Sequence, residues 1–124
     1  MKKTVSAKDL PAALGPYSHA VWAGDFMYCS GQLGIDPATG LLAGDVASQT
    51  ERAMENIKTL LSSQGLKLTD VVKSMVFLAD MGHFKAFNEV YGKYFPSEPP
   101  ARSCVGVAAL PAGALVEIEV VAHR

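Results

Sequence analysis

A chain of 124 residues with a formal charge of −1 carries no electrostatic footprint for nucleic acid, and no basic run marks it for a membrane surface. Hydrophobic residues at 49% against 19% charged describe a globular chain, sized for one domain spanning 1–124 with a core of its own. No apolar segment approaches the ~20 residues of a transmembrane helix, and no apolar stretch follows Lys2 and Lys3 as in a signal peptide; Cys29 and Cys104 lie far apart in apolar stretches, as suits buried thiols in a reducing compartment, so the expectation is a soluble, cytoplasmic protein.

In chain order, LPAALGPY reads as an irregular arm rich in Pro, Gly and Ala. SHAVWAGDFMYCSGQ reads as two strands joined at Ala23-Gly24-Asp25. LGIDPATGLLAGD is loop, punctuated by Asp-Pro and Thr-Gly. Asp45 is a good N-cap for a helix through VASQTERAMENIKTLLSSQG, whose apolar residues recur at three- and four-residue spacing up to a stop at Gly65. A third strand, DVVKSMVFLAD, is apolar on both faces. A second helix covers HFKAFNEVYGKYF, with Phe84, Phe87, Tyr91, Tyr94 and Phe95 on one stripe. After EPPA, two last strands meet across the turn LPAGA.

This order gives an α+β fold, a mixed sheet with two helices packed on one face. The uncovered face then needs a partner, because apolar area left in water costs about 25 cal/mol per Å2. A homo-oligomer is the expectation, and a monomer with scattered exposed apolar residues the alternative.

The last strand sorts by period two into an apolar face, Val116, Ile118, Val120 and Ala122, and a second face bearing Glu117 and Glu119. On the strand before it, Val105, Val107 and Ala109 make the better core face, so Arg102 and Cys104 point the other way. With the two core faces aligned, Arg102, Cys104, Glu117 and Glu119 share the face turned toward another subunit. A cation and carboxylates at a partly dry interface suit a small-molecule site. A structural Arg–Glu pair that fixes oligomer register explains the same residues without chemistry.

PARSCVGVAALPAGALVEIE resembles the signature of the RidA (YjgF) family of reactive-intermediate imine deaminases. GPYSHAV, YCSGQLGIDPATG and VVKSMVFLADMGHFKAFNEVYGKYF resemble further segments of that family, so the likeness runs over nearly the whole chain. It implies a chorismate-mutase-like fold, a homotrimer with its non-helix sheet faces toward the centre, and ligand sites between subunits. It implies hydrolysis of 2-aminoacrylate, 2-iminopropanoate and 2-iminobutanoate to 2-oxoacids and ammonia, without metal or organic cofactor. A non-catalytic trimeric family member, binding a small ligand or protecting proteins, is the alternative; a ribonuclease fits poorly with the charge.

Carried over residue by residue, the resemblance makes Arg102 the anchor of the substrate carboxylate and Glu117 the group that activates water. Tyr17 becomes a hydrogen-bonding phenol, and Ser30, Gly31, Asn88 and Cys104 become ligand contacts, Cys104 mainly through its backbone. Read without the resemblance, Tyr17 and Asn88 are equally a buried phenol and a satisfied core amide. His19, His83 and His123 show no metal-ligand spacing, and nothing local supports a Cys104–His nucleophilic pair.

Overall fold

The structure, a computed structural model, describes all residues from 1 to 124. Its elements are β1 (Lys3–Val5), β2 (Ala20–Ala23), β3 (Phe26–Cys29), β4 (Gln32–Leu33), α1 (Val46–Ser63), β5 (Val71–Leu78), α2 (Phe84–Tyr94), β6 (Ala101–Gly106) and β7 (Val116–His123). One mixed sheet runs β1-β2-β3-β7-β5-β6, with β4 also paired to β7. Sequence patterning missed β1 and β4, which are too short to show a period.

Local chemistry sets the boundaries of α1. Asp45 accepts a hydrogen bond from the Ser48 N–H at 2.8 Å, satisfying one of the free donors of the first turn. At the other end Gly65 takes φ +73°, a left-handed conformation that glycine adopts without a Cβ clash. There the Leu66 N–H donates to the Leu61 carbonyl and closes the helix. The buried stripe Ala53, Met54, Ile57, Leu60 and Leu61 packs with Val116, Ile118, Val120 and Ala122 of β7 in one core of 22 residues. The face expected for β7 is therefore the core face, and truncating a fully buried residue such as Ile118 to alanine costs about 2–5 kcal/mol.

Two expectations fail for the last strands. First, β6 and β7 do not pair: β5 lies between them, parallel to β6 and antiparallel to β7. Parallel neighbours need a crossover, and α2 supplies it in a β5-α2-β6 unit. The link from β6 to β7 passes through a short 3-10 turn at Pro111–Gly113 rather than a hairpin. Second, the parity assigned to β6 is reversed. Arg102 and Cys104 stand opposite Ser74 and Val76, which are fully buried toward the helices, while Val105 stands opposite Phe77 and is 40% exposed. Arg102 and Cys104 therefore face α2, whereas Glu117 and Glu119 pair with Phe77 and Met75 on the other face. The apolar look of Val105 and Val107 misleads because β6 is an edge strand whose outer face is not core.

A bulge at Val72 shifts the register of β5 on β7 between Val71 and Lys73. It leaves Val72 exposed and puts Val71 on the buried side with Ser74, Val76 and Leu78. Strict alternation along the strand would instead put Val71 on the side of Lys73. The sheet face away from the helices carries the exposed apolar side chains Phe26, Tyr28 and Val105.

Candidate functional site

The candidate residues fall into two clusters. The first stands at the open edge of the sheet. Arg102 on β6 is half-buried beneath α2, and its Nη1 donates to Asn88 Oδ1 at 2.8 Å. Its guanidinium carbon lies 5.6 Å from the ring centroids of Phe84 and Phe87 and 5.0 Å from that of Tyr91. Phe84, Phe87, Asn88 and Tyr91 follow one another at helical spacing, so a single stripe of α2 walls the cation. Aromatic faces attract a guanidinium without neutralising it. The ion pairs of the chain are Lys58–Glu55 and Arg124–Asp25, and Arg102 belongs to neither.

Below the guanidinium, the Ser74 and Tyr91 hydroxyls are buried without a partner in hydrogen-bonding geometry. Burial pushes the Tyr91 phenol up, and nearby Ser74 and Arg102 offset part of that push. Cys104, two residues beyond Arg102, packs against the core; burial raises its thiol pKa, and Arg102 opposes the rise. The other thiol, Cys29, is pushed up to about 12, first by burial and then by the Glu119 carboxylate. Neither is set up as a thiolate nucleophile at neutral pH.

The second cluster lies on the opposite sheet face. Leu14, Tyr17, Ser30, Gly31, Glu117 and Glu119, with Leu33 and Pro111, line a cleft of about 460 Å3. A break in pairing builds it. Tyr28 stands opposite Val121, but Gln32 stands opposite Ile118, so four steps on one strand meet three on the other. The extra residue falls in Cys29–Gly31 and lifts Ser30 and Gly31 out of the ladder beside Glu117 and Glu119.

Gly31 fits there only because it has no side chain: a Cβ would lie 2.6 Å from Glu117 Oε2. The Ser30 hydroxyl donates to the Ser18 carbonyl at 2.6 Å, tying the cleft to the segment before β2. Tyr17 is 46% exposed, and its hydroxyl accepts from the Leu14 N–H at 3.0 Å. Burial raises the Glu117 carboxyl above the ordinary carboxylate range, and the Glu119 charge raises it further. A carboxylate so placed holds a proton more readily than one in water, which suits general acid–base work.

The structure thus brings Tyr17, Ser30, Gly31 and Glu117 together, and separately Arg102, Asn88 and Cys104. Within one chain it does not bring the two groups together. A larger hollow of about 680 Å3 lies elsewhere, between residues 6–9 and the outer side of α1; exposed polar groups line it and none of the candidate residues does. No group of three or more His, Cys, Asp or Glu side chains is placed to hold a metal ion. No helix is long and apolar enough to cross a membrane.

Sequence patterning missed the aromatic walls of Arg102, reading them only as a core stripe. The signal was the amide of Asn88 embedded in that stripe, since an amide there demands a polar partner.

Comparison with known proteins finds relatives over nearly the whole chain. A family model described as Endoribonuclease L-PSP matches residues 7–124. A 2-iminobutanoate/2-iminopropanoate deaminase of Bos taurus is 48% identical, over 98% of this chain and 90% of its own. A RutC family protein of Pyrococcus horikoshii is 44% identical, over 100% of this chain and 99% of its own. The crystal structure of Escherichia coli TdcF with bound serine superposes with a TM-score of 0.94 at 38% identity, covering 98% of each chain.

Proposed function

Because this chain belongs to the Endoribonuclease L-PSP (YjgF/RutC/RidA) family, we propose that it hydrolyses 2-imino acids such as 2-iminopropanoate and 2-iminobutanoate to 2-oxoacids and ammonia. The observation that carries this reading is the state of Arg102. It is a full positive charge fixed at a sheet edge by an amide oxygen and aromatic faces, with no carboxylate of its own chain to neutralise it. A planar guanidinium is suited to grip a carboxylate with two parallel hydrogen bonds. The deaminase name of the bovine relative and the amino acid bound to TdcF point the same way.

In this mechanism Arg102 holds the substrate carboxylate and orients the C=N carbon. Glu117 takes a proton from water as the water oxygen adds to that carbon. Glu117 passes that proton to the imine nitrogen, giving a carbinolamine. As the C=O bond forms, the proton of the new hydroxyl is carried to the nitrogen in the same way and ammonia leaves. Tyr17 hydrogen-bonds the water or substrate, and Ser30 and Gly31 border the reacting atoms. Asn88 keeps Arg102 in position, and the backbone at Cys104 lies alongside the substrate. The residues named need no metal or organic cofactor for this chemistry.

Arg102 and Glu117 leave opposite faces of one sheet, so both can act on one small substrate only if different subunits supply them. We therefore read the protein as a homo-oligomer, a trimer by family likeness, with shared sites. Burial of the exposed Phe26, Tyr28 and Val105 in that assembly removes their cost in water.

The relatives' names also include endoribonucleases. A net charge of −1 does not favour a polyanionic substrate, and we take the small imine as substrate. A coupled assay tests this: a pyridoxal-phosphate-dependent threonine dehydratase generates 2-iminobutanoate, a scavenger competes for it, and 2-oxobutanoate release is followed. We expect acceleration by the wild-type protein and a loss of about a hundredfold in kcat/KM for Arg102→Ala, the size of a lost charge-assisted pair. No acceleration by wild type, or full activity in Arg102→Ala, refutes the reading.

A further inference from the structure

His19, immediately before β2, is 7% exposed, and both of its ring nitrogens are used. The Ala7 N–H donates to Nδ1 at 3.0 Å, and Nε2 lies 3.0 Å from the Pro11 carbonyl oxygen. A backbone N–H can only donate and a carbonyl can only accept. The pattern therefore requires a neutral imidazole with its proton on Nε2. The ring clamps two points of the arm, Ala7 and Pro11, to the start of the sheet.

The same arm continues to Leu14, whose N–H donates to the Tyr17 hydroxyl. Because the Tyr17 oxygen accepts from Leu14, its own proton is left to be donated into the cleft that Leu14 and Tyr17 share with Glu117. We propose that His19 is a positioning residue for this cleft: its neutral imidazole holds the arm of residues 7–14 against β2, and through Leu14 it sets the Tyr17 hydroxyl as a donor to substrate or water.

An imidazolium would turn a second N–H against the Ala7 N–H and break the clamp. The groups around the ring offer it no compensation. Lys8 and Tyr17 are the titratable neighbours from the arm, and Gly31, Gln32, Leu33 and Ile35 face it from β4 and its flanks without a charge. Asp9 is turned to the outer hollow with Lys8, Glu55 and Lys58. Acid conditions should therefore loosen the arm.

The consequence for turnover rests on the deaminase reading; the consequence for the arm does not. The test compares wild type with His19→Gln, which keeps one acceptor and one donor without titrating, and His19→Ala, which keeps neither. Hydrogen-exchange protection of residues 7–14 and kcat/KM are measured at a series of pH values from about pH 8 downward.

The expected result is loss of arm protection on acidification in wild type but not in His19→Gln. His19→Ala is expected to be unprotected at every pH, with kcat/KM lowered about tenfold, and His19→Gln to restore it. Equal protection and equal pH profiles in wild type and His19→Gln overturn the inference, as does unaltered arm protection in His19→Ala. If wild type hydrolyses no imine, the deaminase reading falls and the exchange measurements alone decide between holding and overturning the clamp. Should His19→Ala not fold, the comparison of wild type with His19→Gln still decides.

Discussion

Arg102 and Glu117 project from opposite faces of the same sheet. Arg102 pairs across β5 with buried Ser74 and lies under α2, while Glu117 pairs with Phe77 on the face free of helices. Side chains of directly paired residues share a face, so three steps along β5, from Ser74 to Phe77, separate the two by side as well as by distance. A site using both must be assembled, and the sheet face bearing Phe26, Tyr28 and Val105 has exposed apolar surface for assembly to hide.

The contact between Gly31 and Glu117 yields a prediction that separates function from stability. A Cβ on Gly31 would meet the carboxylate end of Glu117 at 2.6 Å. The clash extends to Glu117 Cγ at 2.9 Å, so the whole side chain must turn, but it stands on the sheet face away from the core. Gly31→Ala is expected to cut kcat by about a hundredfold through misplacement of the base, with a Tm close to that of wild type. Paired kinetic and calorimetric measurements check it; unchanged kcat would show that Glu117 is not held by this contact for catalysis.

Asn88 offers Arg102 a neutral acceptor at 2.8 Å. Asn88→Asp would place a carboxylate on the same spot and neutralise the guanidinium from within the chain. The expected outcome is a KM for the imine and a Kd for 2-oxobutanoate raised about tenfold, with stability maintained or increased. Titration calorimetry with 2-oxobutanoate reads it directly, and unaltered affinity would count against Arg102 as the carboxylate anchor.

The raised pKa of Glu117 has two consequences of definite sign. As a base the group must be ionised, so activity should fall on the acid side beginning above the ordinary carboxylate range. This limb persists in His19→Gln. For stability, a carboxyl whose folded-state pKa is raised is ionised at neutral pH only at a cost to the native state. That cost disappears as pH falls through the folded pKa and below the unfolded one. Glu117→Gln should then raise Tm at pH 7, lose that advantage in acid, and lower kcat by about 10²–10⁴-fold. Thermal melts across pH check the first part and steady-state kinetics the second.

How much of this was legible in the sequence depends on how local the determinant is. The stop of α1 at Gly65, its cap at Asp45 and the core face of β7 follow from residues within a few positions, and patterning reads them correctly. The placement of Arg102 depends on which strand β6 pairs with, and nothing in PARSCVGV encodes that β5 rather than β7 lies beside it. The face itself is misread because Val105 and Val107 look like core residues, although they lie on the outer side of an edge strand. The bulge at Val72 likewise breaks an alternation that the sequence alone presents as unbroken. For the same reason the clamp at His19 was invisible, since Ala7 and Pro11 meet the ring only after the arm folds back. Motif likeness named Arg102, Glu117, Tyr17, Ser30, Gly31, Asn88 and Cys104 as a set, but only the fold sorts them into two half-sites.

Mixed oligomers of Arg102→Ala and Glu117→Gln chains test the central claim most directly. Each variant alone lacks one half of every site. In oligomers assembled from equal amounts of both, a site formed between neighbouring subunits can receive an intact Arg102 from one and an intact Glu117 from the other. With random mixing about a quarter of such sites are complete, so activity should return to about a quarter of the wild-type value. If native mass spectrometry shows both chains in one assembly and activity stays at the level of the parent variants, the two residues do not act together across subunits, and the shared-site account is wrong.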